Sequence, residues 1–110
     1  MGTYEIRHYL DANGNDLYQD WIEHLRDRTA QVAIIRRIAR MAVGQFGDHK
    51  HLQDGVWELR IDVGPGYRVY YGHVGNRIVV LTHGGDKGTQ ARDITRAGKL
   101  LKDWEQRHEN

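Results

Sequence analysis

The 110-residue sequence predicts a single α+β domain in the order β-α-α-β-β-β-α, a mainly antiparallel four-stranded sheet with a helical hairpin on one face. Three observations predict it. Apolar residues recur with a helical period between Tyr18 and Ala42. From Trp57 the period shortens to two. After the GGDKGT stretch the helical period returns once more.

Residues 3–9 alternate loosely and read as a short strand, and DANGND is a turn cluster. Asp16, with Gln19 three residues on, has the pattern of a capping box. Tyr18, Trp21, Ile22 and Leu25 then fall on one stripe, giving a first helix over residues 16–26. Thr29 is placed to cap a second helix. Ile34, Ile35, Ile38, Met41 and Ala42 form its apolar stripe, with Arg36, Arg37 and Arg40 on the other side. The two helices are close in sequence and pair as an antiparallel hairpin.

GQFGDHKHLQDG reads as a connection. Trp57, Leu59 and Ile61 alternate with Glu58, Arg60 and Asp62, the pattern of a half-buried strand. Gly64-Pro65-Gly66 is a turn, residues 67–74 form the next strand, and Gly75-Asn76 is a two-residue hairpin loop. Residues 78–81 are apolar on both faces, which places that strand inside the sheet. Thr89 starts a last helix with Ile94, Ala97, Leu101 and Trp104 as its stripe, and a charged tail, EQRHEN, ends the chain.

There is no cysteine, so disulfides and thiolate metal sites are excluded. The first ten residues hold no apolar run long enough for a signal peptide or a membrane span, and a soluble cytoplasmic protein is expected. A net charge of +1 argues against attachment to nucleic acid by bulk charge. The cations are 12 Arg against 4 Lys, and the planar arginine fork suits phosphate and stacks on bases.

Strand geometry narrows the candidates. If Val69 joins the core with Tyr67 and Tyr71, then Arg68 and Tyr70 share a face with Arg60. That face is either an exposed cationic and aromatic surface or a set of cross-strand ion pairs closed by Glu58 and Asp62. Lys87 lies in a glycine-rich strand-to-helix turn, which is no P-loop because GxxxxGK[ST] is absent. His83, at the end of an apolar strand, is either a proton-transfer group or a packed residue. His49 and His51 flank Lys50 and make no metal site, so no metal and no small-molecule cofactor is expected.

Three stretches, LQDGVWELRID, GPGYRVYY and IVVLTHGGDKGTQARDITRA, in this order resemble the addiction-module killer proteins of the RelE/ParE toxin superfamily, HigB-like branch. The resemblance covers residues 3–105 and implies a RelE-like fold. It implies a toxin of a type II toxin–antitoxin module with a helix-turn-helix antitoxin as partner, and a ribosome-dependent mRNA endoribonuclease acting on ribosome-bound mRNA. A ParE-like toxin that poisons DNA gyrase, or an inert decayed module, is the alternative. Carried over by motif, Arg68 of GYRVYY stands at the scissile phosphate and Lys87 of GGDK is a basic residue after the last strand. Arg60 of ELRI, with Arg36, Arg37 and Arg40, makes up the RNA-contacting set. RelE is far more basic and has a catalytic tyrosine near its C-terminus. No tyrosine follows Tyr71 here, so either Tyr70 or His83 moves protons, with Lys87 a further candidate base, or an electrostatic mechanism suffices.

Overall fold

The computed structural model describes residues 2–108; Met1, Glu109 and Asn110 lie outside the described residues, so the charged tail is seen only as far as His108. The chain forms β1 (Glu5–His8), α1 (Leu17–Glu23), α2 (Arg28–Met41), β2 (His49–Gln53), β3 (Val56–Ile61), β4 (Tyr67–Val74), β5 (Ile78–Asp86), a 3-10 turn (Lys87–Thr89) and α3 (Gln90–Arg107). The sheet order is β1-β5-β4-β3-β2, with β1 parallel to β5 and the other pairings antiparallel.

The α+β class and the interior position of β5 agree with the sequence pattern, but the sheet has five strands rather than four. The additional strand is HKHLQ, where four of five residues are exposed at the sheet edge and no alternation shows. Its signal lay in the turn that follows. Asp54 and Gly55 take φ of 48° and 77° between the paired residues Gln53 and Val56. Asp-Gly is a preferred two-residue hairpin turn because both positions need positive φ. Conversely, the loop after β4 holds three residues, Gly75, Asn76 and Arg77, because Val74 pairs with Ile78.

Caps and helix ends are set by the acids. The Asp16 carboxylate accepts the Gln19 amide at 3.0 Å, and the Gln19 side chain reaches Glu23 rather than closing a capping box. For α2 the cap is Asp27, accepting the Ala30 amide at 3.0 Å, and not Thr29, which lies within the first turn. On α2, Ile34 and Met41 are buried but Ile35 is 50% exposed, because it points about 100° away from Ile34.

Both faces of the sheet are covered. On one, α1 and α2 place Tyr18, Ile22, Ala30, Ile34 and Met41 against Leu59, Ile61, Tyr67, Val69, Tyr71, Val79 and Leu81. On the other, α3 places Ala97, Leu101 and Trp104 against Tyr9, Val56, Tyr70 and Val80. The surface that the strand pattern offers as exposed is therefore roofed by α3. Among the described residues no helix is long and apolar enough to cross a membrane.

Two glycines show how closely the layers approach. A Cβ on Gly84 would lie 2.3 Å from the Trp21 ring of α1, whereas one on Gly98 of α3 meets nothing nearer than a Val56 methyl at 3.8 Å. Gly84→Ala is expected to destabilise the protein by about 1–3 kcal/mol through overpacking. Gly98→Ala is expected to stabilise it by about 0.5–1 kcal/mol through helix propensity. Urea unfolding of the two variants beside the parent checks both signs.

Candidate functional site

Register brings the predicted strand residues together. Arg60 lies opposite Arg68 across β3 and β4, and Glu58 lies opposite Tyr70. All four lie on the α3 side of the sheet. A bulge completes the cluster. Between the pairs Val69–Gly84 and Tyr71–Leu81, β4 has one residue, Tyr70, where β5 has two, Thr82 and His83. The extra residue re-aims the side chains at that point, as bulges do. His83 thus stacks on Tyr70, with ring centroids 5.3 Å apart, and the Thr82 hydroxyl donates to the Tyr70 carbonyl at 3.2 Å.

Alpha-helix α3 closes the cluster from above with two polar residues of its first turn. Gln90 donates its side-chain amide to Glu58 Oε1 at 2.8 Å. Asp93 is buried, with Oδ1 3.4 Å from His83 Nε2 and Oδ2 accepting the Thr89 hydroxyl at 2.5 Å. Thr89 occupies the helix-start position yet caps no amide, because its hydroxyl serves Asp93. Glu58 is buried between two cations, with Oε1 3.6 Å from Arg68 Nε and Oε2 4.0 Å from Arg60 Nε. Arg60 is also held by Asp48, at 2.8 Å. The cross-strand ion pairing foreseen for this face is present through Glu58, with Asp48 in the place expected for Asp62.

The predicted site residues divide accordingly. Arg68, Arg60, Tyr70 and His83 form one cluster, in which the Arg68 side chain is 13% exposed and that of Arg60 35%. Lys87 stands at the mouth of the cluster. Its amide donates to the Gly66 carbonyl at 2.9 Å, and a Cβ on Gly66 would lie within 4 Å of both the Arg68 guanidinium and Lys87 Cβ. Tyr70 is fully buried, and so is not the exposed phenol expected. Arg36, Arg37 and Arg40 belong to α2, on the other face. Arg37 is fixed within the fold, donating to the carbonyls of Arg60, Phe46 and Asp48, while Arg36 and Arg40 are exposed.

Gln90 and Asp93 are the cluster members that strand and motif reasoning did not place in the site; Glu58 was placed on this face, as an ion-pair partner. Asp93 had a signal: the stripe of Trp104, Leu101 and Ala97, stepped back four residues, falls on it.

Three buried polar atoms of the cluster have no hydrogen-bond partner among the described residues: the Tyr70 hydroxyl, Arg68 Nε and His83 Nε2, the last facing Asp93. Two of them, the Tyr70 hydroxyl and Arg68 Nε, are donors whatever the histidine tautomer. Buried donors without acceptors are costly, and a pair in one cluster fits an incoming acceptor. Burial foremost, with the carboxylates of Asp93 and Glu58, pushes the Tyr70 phenol well above its ordinary value of 10, so it is a proton donor and not a base at neutral pH. Burial likewise holds the His83 imidazole below its ordinary 6.5, with Asp93 pulling partly the other way.

The sign of the His83 effect is testable. As pH falls, the unfolded chain takes up the imidazole proton first, so this residue makes the fold less stable as pH falls from about 7.5 through 6.5, until its own folded-state value is reached. Thermal melts of the parent and His83→Gln across that window are expected to diverge. The parent should be the more pH-dependent, by at most about 1.4 kcal/mol per pH unit for one proton.

The described residues also match known proteins. The family described as phage-derived protein Gp49-like (DUF891) matches residues 20–102, from α1 to near the end of α3. An uncharacterized protein of Haemophilus influenzae (strain Rd) is 46% identical over 84 residues, 76% of this chain and 84% of that relative.

Proposed function

The chain belongs to the phage-derived Gp49-like family, and on that premise we propose that it is the toxin of a type II toxin–antitoxin module, a RelE-like endoribonuclease that cuts mRNA on the ribosome. The observation that carries the reading is the pair of unsatisfied buried donors, Arg68 Nε and the Tyr70 hydroxyl, next to Glu58 and beneath the Lys87 turn. A phosphodiester supplies the acceptor oxygens those donors lack.

The reaction is attack of a ribose 2′-oxygen on its neighbouring phosphate with loss of the 5′-oxygen. The Arg68 guanidinium stabilises the phosphorane oxygens. Lys87 adds charge at the mouth. When phosphate takes Glu58's place on Arg68, the carboxylate is freed to accept the 2′-hydroxyl proton, and the Tyr70 phenol can donate to the leaving oxygen. Both inner groups lie under α3, so the first turn of α3 moves aside as the phosphate takes Glu58's place, and the RNA must arrive with its codon already splayed and oriented. Positioning of that kind on the ribosome contributes several kcal/mol. The partner this reading expects is a helix-turn-helix antitoxin, and the place of action is the cytoplasm. One observation favours a second reading, a toxin that holds a protein target such as gyrase: Tyr70 and His83 are shut off from solvent and Arg60 is already paired.

Arg68→Ala is a poor test alone, because it leaves Glu58 buried with less compensation, and breaking a buried pair costs up to roughly 3–5 kcal/mol. Arg68→Lys keeps the charge and removes the fork. Mapping of mRNA 5′ ends on translating ribosomes is expected to show new ends in phase with the A site. Arg68→Lys should reduce them by about 10²-fold while the thermal melt stays close to the parent. Growth arrest by the parent with unchanged 5′ ends would move the assignment to a protein target.

A further inference from the structure

The face of the sheet opposite Arg68 carries a second cluster that the proposed reaction does not use. At the β2 edge, rings from three strands gather around Trp57. His49 of β2 stacks on Trp57 of β3 with centroids 5.8 Å apart and planes at 26°. His51, also on β2, lies 5.0 Å from the same indole, and His73 of β4 meets it edge-on at 5.4 Å. Phe46 closes the group, 5.6 Å from His49 and 5.9 Å from His73. Beneath them Tyr71 is fully buried and stacks on Trp57 at 6.3 Å and 24°. The three histidines are exposed; Trp57 and Phe46 are half-buried.

The chemistry of these groups narrows what they can hold. Among the described residues no cluster of three or more His, Asp or Glu is placed to bind a metal. The exposed members are imidazoles, which offer π faces and ring nitrogens but little aliphatic area, so the patch is a poor seat for the apolar face of a helix. No carboxylate belongs to the ring group, and the neighbouring Asp48 is engaged by Arg60. A sheet surface that displays rings from adjacent strands is an arrangement on which unpaired bases stack, and ring nitrogens at its rim can bond base edges. Cations stand where the two faces meet. Asp48 precedes His49 in the chain and holds Arg60, and Arg37 donates to the carbonyls of Phe46 and Asp48.

We infer that the ring cluster around Trp57 is a stacking platform for unpaired bases of single-stranded RNA. It takes the choice of RNA over other aromatic ligands from the proposed function, but it lies on a different face and makes a separate claim. A strand engaged at Arg68 passes around the β2 edge and rests its flanking bases on His49, His51, Trp57 and His73.

The test is an NMR titration of the full chain with a 2′-O-methylated single-stranded octanucleotide, which cannot be cleaved, against a duplex of the same sequence. The Trp57 indole N–H and the ring signals of His49, His51 and His73 are expected to shift with the single strand only. His51→Ala and His73→Ala should each weaken binding about fivefold or more, the scale of losing one base stack. His24→Ala, an exposed imidazole just after α1, should leave binding unchanged. Ring signals that stay put while other residues respond overturn the inference, as does equal binding of the duplex or no binding at low salt. The two claims separate cleanly. Ring shifts without ribosome-dependent cleavage remove only the ribonuclease reading, and cleavage without ring shifts removes only the platform.

Discussion

The α3 side of the sheet depends on one constraint: Glu58 and Asp93 are carboxyl groups without access to water, and each must find its partners inside the protein. Glu58 finds Gln90, Arg68 and Arg60; Asp93 finds Thr89 and His83. Apart from Glu58–Arg60, which lies within β3, each of those contacts joins strand to strand, helix to strand, or the helix to its own entry turn. Without an incoming group to replace their partners, lifting the start of α3 strands both acids, and β5 cannot lose its bulge without turning His83 away from Asp93. Apolar burial of Ala97, Leu101 and Trp104 then completes a helix whose first turn is already fixed by polar contacts.

That constraint bears directly on reactivity. Arg68 is held, but loosely: its nearest carboxylate oxygen is 3.6 Å away, beyond a good hydrogen bond. The guanidinium is thus charged, oriented and incompletely satisfied, the state in which a phosphate oxygen competes well with an internal carboxylate. A fully satisfied pair would have to be broken before RNA could bind. In the proposed reaction this looseness is what lets a nearly neutral chain address RNA: recognition relies on a few placed groups, and the ribosome supplies the rest of the electrostatics and the orientation.

Much of this was legible in the sequence and some was not, for identifiable reasons. Alternation in the VWELRI and YRVYY runs placed Arg60, Arg68 and Tyr70 on one face, because the strand period leaves no choice. The same rule could not say whether that face was open. The apolar character of residues 78–81 on both sides was the hint that it was not, since an interior strand buried on both faces needs a second layer. His83 was ambiguous because its direction depends on a bulge, and a bulge leaves no trace in periodicity. The edge strand β2 was hidden by its polar composition, although the Asp-Gly turn after it was in plain view. The inward turn of Arg37 to carbonyls was not legible, because a long side chain on a polar helix face can reach inward without any trace in composition.

The central claim is that Arg68 leaves Glu58 for a phosphate of the A-site codon. The most direct test is a cryo-EM structure of the protein on a programmed ribosome whose A-site codon carries 2′-O-methyl groups to block cleavage. The account predicts a phosphate oxygen within hydrogen-bond distance of the Arg68 guanidinium, with Glu58 released from it and facing the blocked 2′-oxygen. An Arg68 that is still paired with Glu58, with the codon phosphates elsewhere on the protein or the protein absent from the A site, would contradict it.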